Sequence, residues 1–298
     1  MQPTELGQLP WLAPTLAAFL AWGLAQGLVK KYIGEVSAAR FCLYYAIANA
    51  IVNASFWAFH PAPPAFAAEG RQFAFWGLLA YVLDGVAWIF YYQSITYGPI
   101  SIVGTLSAAY PALTVIFARS FLGEELTMVQ GIGVSAVLLG CLGLAYSPSD
   151  ASSVTHRRWM IYAGTALVIW GVSGTLIRYA YYFPAAHEAN MALFVAIGGL
   201  ATLGIYGLLS GAARGATRTE WLRASGPMAT MALGSLLVAI AYKHGPASLV
   251  TPLAGAYPVV TVGFAWVVLR ERPTWLQWCG IAAVLGGMVL TTAASGAA

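Results

Sequence analysis

Ten apolar runs divide the chain, near residues 12–30, 37–59, 72–96, 99–121, 127–147, 158–180, 188–210, 221–242, 246–269 and 274–294. Each is close to the roughly 20 residues that an α-helix needs to cross a hydrocarbon core. Polar positions collect in the gaps. The longest gaps, HPAPPAFAAEGR (60–71), SPSDASSVTHRR (147–158) and SGAARGATRTE (210–220), have the composition of turns and linkers and leave no room for a soluble domain. Lipid offers no partners to bare backbone, so every run predicts a helix. The expected fold is all-α and polytopic, with ten transmembrane helices.

The pattern then repeats. Residues 98–141 align without a gap on 245–288, and 21 of the 44 positions are identical. Among them are Tyr110/Tyr257, Pro111/Pro258, Thr114/Thr261, Glu124/Glu271, Gln130/Gln277 and Gly133/Gly280. A weaker echo joins AWGLAQGLVK (21–30) to IWGVSGTLIR (169–178), pairing Trp22-Gly23 with Trp170-Gly171 and Lys30 with Arg178. The expected organisation is a first five-helix unit over 1–147 and a second over 148–298, joined in one bundle. Five is odd, so a unit that starts on one side of the membrane ends on the other. The second copy is expected to enter inverted, as in secondary transporters that hold their substrate near the midplane between two such halves.

Composition agrees with lipid as the solvent. The chain is 60% hydrophobic and 8% charged, and its mean hydropathy is +0.74, whereas soluble domains carry about a quarter charged residues. A net charge of +4 does not point to nucleic acid, because the basic residues sit singly or in pairs at the ends of apolar runs. Cys42, Cys141 and Cys279 lie within apolar stretches and form neither a disulfide framework nor a metal spacing. The opening MQPTELGQLP has no basic segment or small-residue cleavage site before the first apolar run, so no removable signal peptide is expected.

One acid lies deep in a run. Asp84, in LLAYVLDGVAWIFYYQ, shares a helical stripe with Tyr81, Trp88 and Tyr91. A charge at mid-depth costs about 2.5–3.5 kcal/mol to insert and marks a functional candidate. The stripe offers a carboxylate and ring faces to a substrate ammonium, and the carboxyl group is also a candidate proton acceptor for coupling. The plain alternative is a structural bond to a neighbouring helix. The repeat-equivalent stripe on helix 8 is Met228, Met231, Ser235 and Val238, without acid or aromatic, so the chemistry is expected on one wall only. Tyr110-Pro111 and Tyr257-Pro258 fall mid-span, where proline removes a helical hydrogen bond and frees the carbonyls of Ser107 and Ala254. Both tyrosines are candidate binding groups, with a packing kink as the alternative. Pro111, Pro258, Ser107, Thr114 and Thr261 are candidates for a kink or gate, and Trp22 and Trp170 for gating, binding or packing. Glu124 and Glu271 sit in matched loops suited to capping or gate ion pairs. Arg119, Arg178 and Lys243 are expected to snorkel from helix ends. Trp11, Trp159, Trp221, Trp275 and Trp278 are expected as interface anchors.

Together, Trp-Gly on helices 1 and 6 with a basic residue eight positions on, Arg40-Phe41 opening helix 2, and Tyr110-Pro111, Thr114 and Gly123-Glu124 through helix 4 resemble the EamA family of the drug/metabolite transporter superfamily. The resemblance spans the whole chain and is strongest over helices 4–5 and 9–10. It implies a ten-helix basket that moves small metabolites, often amino acids, out across a bacterial-type inner membrane. The aromatic amino-acid exporters of the YddG type are the branch it resembles most. One departure is HEANMALF (187–194), where the family often carries an arginine.

Orientation follows from charge. With ten helices, one face holds Lys30, Lys31, Arg40, Arg157, Arg158, Arg214, Arg218, Arg223, Arg270 and Arg272; the other, with both termini, holds Arg71, Arg119, Arg178 and Lys243. The positive-inside rule places the richer face in the cytoplasm and the termini outside. No cofactor is expected: GxxxxGK[ST], HExxH and GxSxG do not occur. The histidines (His60, His156, His187, His244) fall at run ends or in loops, which disfavours an intramembrane enzyme. No ring of like polar groups repeats across the halves, which disfavours a channel. The expected partners are the bilayer and a small amphipathic substrate: an amino acid, or alternatively a broader drug-like or anionic metabolite.

Overall fold

A computed structural model describes residues 9–32, 36–97, 103, 109–145 and 158–296. All regular structure among them is helical. The elements are α1 (Leu12–Tyr32), α2 (Ala38–Phe59), α3 (Arg71–Tyr97), α4 (Tyr110–Leu122), α5 (Met128–Ala145), α6 (Arg158–Ala180), α7 (Glu188–Leu209), α8 (Arg218–His244), the two segments α9a (Ala247–Gly255) and α9b (Pro258–Val268), and α10 (Trp275–Gly296). Among the described residues, eight helices are long and apolar enough to cross a membrane; α4 and α5 are shorter apolar helices. The first half of run 99–121, including Ser107, lies outside the described residues except Val103 and Ala109.

The repeated sequence encodes repeated local structure. Thr127 and Gln130 form a capping box at the start of α5, with the Thr127 N–H donating to Gln130 Oε1 (2.9 Å) and the Gln130 N–H to Thr127 Oγ1 (3.2 Å). Thr274 and Gln277 do the same for α10, at 2.9 and 3.3 Å. Each preceding helix ends in a left-handed residue, Gly123 (φ 67°) or Arg270 (φ 58°).

Packing follows the same exchange. α1 packs on α8 and α9b, while α6 packs on α3 and α4. α5 and α10, which are repeat equivalents, pack on each other, as do α2 and α7. Gly133 faces Gly287 and Gly140 faces Gly280, so α5 and α10 run antiparallel at backbone contact. α2 and α7 are also antiparallel, with Leu43 against Gly207 and Asn49 near Gly199.

The bundle is apolar outside as well as inside. Ile51, Phe75, Ile116, Leu139, Ile161, Leu208 and Val289 are exposed, whereas Thr15, Asn49, Asn53, Ser94, Thr114 and Ser173 are buried. That is the distribution expected when lipid contacts the outer surface. Trp275 and Trp278 lie on this outer surface. Trp11 and Trp159 do not: both are buried in core clusters, Trp11 against Gly245, so they pack between helices rather than anchor at an interface.

The predicted ninth helix is broken in two. Pro258 cannot donate to Ala254, and the chain tightens into a turn before α9b. The Ala254 carbonyl is not left free: it accepts from the Tyr257 N–H at 3.3 Å, three residues on.

Candidate functional site

α3 crosses the bundle between α6 and α7, and its Asp84 stripe faces inward. Tyr81, Asp84, Trp88 and Tyr91 line one cavity of about 280 Å³. Trp22 of α1, Trp170 of α6, Tyr110 of α4, and Tyr257 and Pro258 at the α9 break line it too. The structure thus brings all eight candidate binding residues to a single void. On the α8 wall, Met231, Ser235 and Val238 reach it, while Met228 is buried in a neighbouring cluster.

The two Trp-Gly motifs have a common structural cause. A Cβ on Gly23 would lie 2.7 Å from the Tyr257 carbonyl oxygen, and a Cβ on Gly171 2.7 Å from Leu113 Cβ. Glycine therefore lets α1 and α6 approach the segments that follow each Tyr-Pro. The adjacent tryptophans then reach the paired tyrosines: Trp22–Tyr257 ring centroids are 6.0 Å apart and Trp170–Tyr110 5.6 Å. These separations suit attractive aromatic contact. Thr261 Oγ1 donates to the Gly23 carbonyl at 3.1 Å, and Thr114 and Pro111 are buried beside Gly174 and Gly255. The cavity is thus framed by two equivalent aromatic pairs.

The chemistry inside the frame is one-sided. The Trp22 indole N–H is taken by the Met231 carbonyl at 3.2 Å. Trp170 instead packs on α3, its ring 5.1 Å from Trp88 and 5.4 Å from Tyr91. Asp84 forms no ion pair among the described residues. The Tyr81 hydroxyl, also buried, has no hydrogen-bond partner among the described residues. Sequence reasoning missed Tyr45, Asn49, Gln26, Ser173 and Tyr242, which also line the cavity. Tyr45 bonds Ser235 at 2.7 Å across the cavity wall, and Tyr242 bonds Thr251 at 2.8 Å. A signal existed for Tyr45 and Asn49, polar groups one turn apart on an apolar helix. α7 changes to a π-turn over Leu200–Gly204, where Leu203 meets the cavity, a placement that such bulges often take.

The ends of the bundle are held differently. At one end Glu124 accepts from the Ala247 and Ser248 N–H groups, both at 2.8 Å, and so caps α9a. Beside it, Arg178 donates to the carbonyls of Tyr242 (2.8 Å) and Lys243 (3.0 Å), and Lys243 pairs with Glu188 at 2.7 Å. These cations do not snorkel outward; they tie helix ends together. The equivalent pair at the other end, Lys30–Glu271 at 2.6 Å, is exposed, with 58% and 48% of the side chains accessible against 18% and 6% for Arg178 and Glu124. Where α2 begins with Arg40 bonded to Glu220, α7 begins with Glu188 bonded to Lys243 and His244, so the charge is reversed between the equivalent helices. Removing Glu124 by E124A is expected to cost about 3 kcal/mol, because a buried cation loses its partner. K30A is expected to cost under about 1 kcal/mol, as for exposed pairs. Thermal unfolding of both variants in detergent reads the difference.

Matched against known families, residues 9–146 and 157–293 each fit the EamA-like transporter family. The chain belongs to that family. This EamA-like protein therefore carries two copies of the family unit, in a multi-pass helical bundle, and its family consists of transporters and not of enzymes. A solved structure described as "Crystal structure of protein" matches it with a TM-score of 0.73 at 20% identity, over 94% of this chain and 98% of the other. At that identity the likeness shows the fold. No curated protein matches the EamA-like chain in sequence.

Proposed function

We propose that this protein is a secondary transporter that moves small amphipathic metabolites bearing an amine, aromatic amino acids among them, by alternating access. The observation that carries the reading is one aromatic cavity with a single carboxylate among its described lining residues, clasped by two equivalent half-bundles. Asp84 receives the amine. Tyr81, Trp88, Tyr91, Tyr110, Tyr257, Trp22 and Trp170 receive the apolar body. Exporters of the YddG type are the narrower form of this proposal.

The wider architecture belongs to the same proposal. The units are 1–147 and 148–298, of five spans each. The antiparallel equivalents α5 and α10 favour inverted repeats. Pro111 and Pro258, with Ser107, Thr114 and Thr261, serve as hinges. The buried Arg178–Glu124 end is closed, and exchange with a state that closes the Lys30–Glu271 end opens it. Proton exchange at Asp84 supplies coupling. The membrane is a bacterial-type inner membrane, and the charge count favours external termini. An impermeant thiol reagent on intact cells should label a cysteine placed at Ser295 and spare one at Arg214; the reverse pattern overturns the orientation.

Counterflow in proteoliposomes tests the function. Vesicles preloaded with unlabelled aromatic amine or amino acid should accumulate the labelled compound well above protein-free vesicles. No accumulation across the panel rejects the transporter reading.

A further inference from the structure

Resting on that reading, the cavity's charge inventory narrows the substrate. Asp84 is the sole ionisable acid or base among the described lining residues apart from tyrosines. The nearby cation at the closed end, Arg178, is engaged by two carbonyls and Glu124. Residues 98–108 read GPISIVGTLSA and hold no ionisable side chain. Asp84 shares the cavity wall with the rings of Trp88 and Trp170, which carry no charge. A carboxylate buried among rings without a counter-ion is costly unless a ligand supplies the positive charge.

We infer that the preferred substrate is an organic monocation without a carboxylate: an aromatic or aliphatic amine, or a quaternary ammonium compound. Its positive group sits on Asp84 and against the faces of Trp88 and Trp170, and its apolar body lies toward Tyr110 and Tyr257. Ring faces attract such cations, more so when water is excluded. A zwitterionic amino acid fits less well. Its carboxylate finds only neutral donors here, such as Gln26, Asn49, Ser173 and the unpartnered Tyr81 hydroxyl, and lies close to the charge of Asp84. An anionic metabolite meets that charge with no compensation.

Three compounds with the same ring separate these cases: phenethylamine (cation), phenylalanine (zwitterion) and 3-phenylpropionate (anion). Calorimetric titration into the full-length protein in nanodiscs should give phenethylamine at least tenfold tighter binding than phenylalanine, and no binding of 3-phenylpropionate. Asp84→Asn should shrink the preference below threefold, and Asp84→Glu should retain it. Phenylalanine binding as tightly as phenethylamine, no binding of phenethylamine, or an unchanged preference in Asp84→Asn each overturns the inference; should Asp84→Asn fail to fold, the wild-type ranking with Asp84→Glu decides. Flux of the same compounds in proteoliposomes keeps the two proposals apart. Cation-selective binding without flux of any compound rejects transport and leaves the substrate class standing. Flux of phenylalanine but not of phenethylamine does the opposite.

Discussion

Asp84→Asn is expected to lower transport about a hundredfold while leaving the fold intact. The size follows from the contact that is lost. An ammonium paired with a buried carboxylate, truncated on one side, costs about 3 kcal/mol, which is about a factor of 100 in affinity or rate. Asparagine keeps the volume and one acceptor oxygen but carries no charge. Stability should not fall, because the change removes a charge that has no cation beside it among the described residues. The alternative, that Asp84 serves as a structural bond between α3 and α6, predicts the reverse pair of results: a lower unfolding temperature and flux per folded molecule close to wild type. Initial rates in proteoliposomes, normalised to folded protein, together with thermal unfolding in detergent, distinguish the two.

Much of this site was legible in the sequence, for physical reasons that can be named. A lone acid inside an apolar run is conspicuous because lipid penalises it, and helical periodicity then assigns Tyr81, Trp88 and Tyr91 to its face. The duplication pointed to Trp22, Trp170, Tyr110 and Tyr257 in pairs. Tyr242 was not separable from the many other aromatics of the chain, since its place at the cavity depends on which helices meet, here α8 with α9a. The end of α6 shows the same limit. Sequence places Arg178 near a membrane surface, but not whether it faces water or the carbonyls of Tyr242 and Lys243. The break in α9 was legible only as a weakness at Pro258. Its severity depends on Tyr257 closing a three-residue turn onto Ala254, a backbone choice that periodicity does not encode.

The duplicated glycines carry the second large effect. Gly140→Leu is expected to prevent assembly of a stable bundle, where Gly131→Leu is tolerated. At Gly140 a Cβ would lie 2.7 Å from the Gly280 carbonyl oxygen and 3.0 Å from the Val284 amide nitrogen, and Gly280 faces Gly140 in turn at 2.8 Å. The obstacles are backbone, which cannot rotate away as a side chain can. Relief requires α5 and α10 to separate, and with them the contacts at Gly133 and Gly287, where the opposing backbone lies as close. Overpacking a yielding core costs about 1–3 kcal/mol; here the surroundings do not yield, and close helix approach through small residues is a main source of association energy in lipid. A cost above about 4 kcal/mol is the expectation, a large share of the stability of a typical fold. Gly131 lies on the same helix with nothing within 4 Å of its added Cβ, so it controls for the leucine itself. Size-exclusion profiles in detergent should show aggregation for Gly140→Leu and a wild-type peak for Gly131→Leu. A monodisperse, thermally stable Gly140→Leu protein would mean that α5 and α10 do not meet at backbone contact, and the antiparallel pairing of the two repeats through these helices would fall with it.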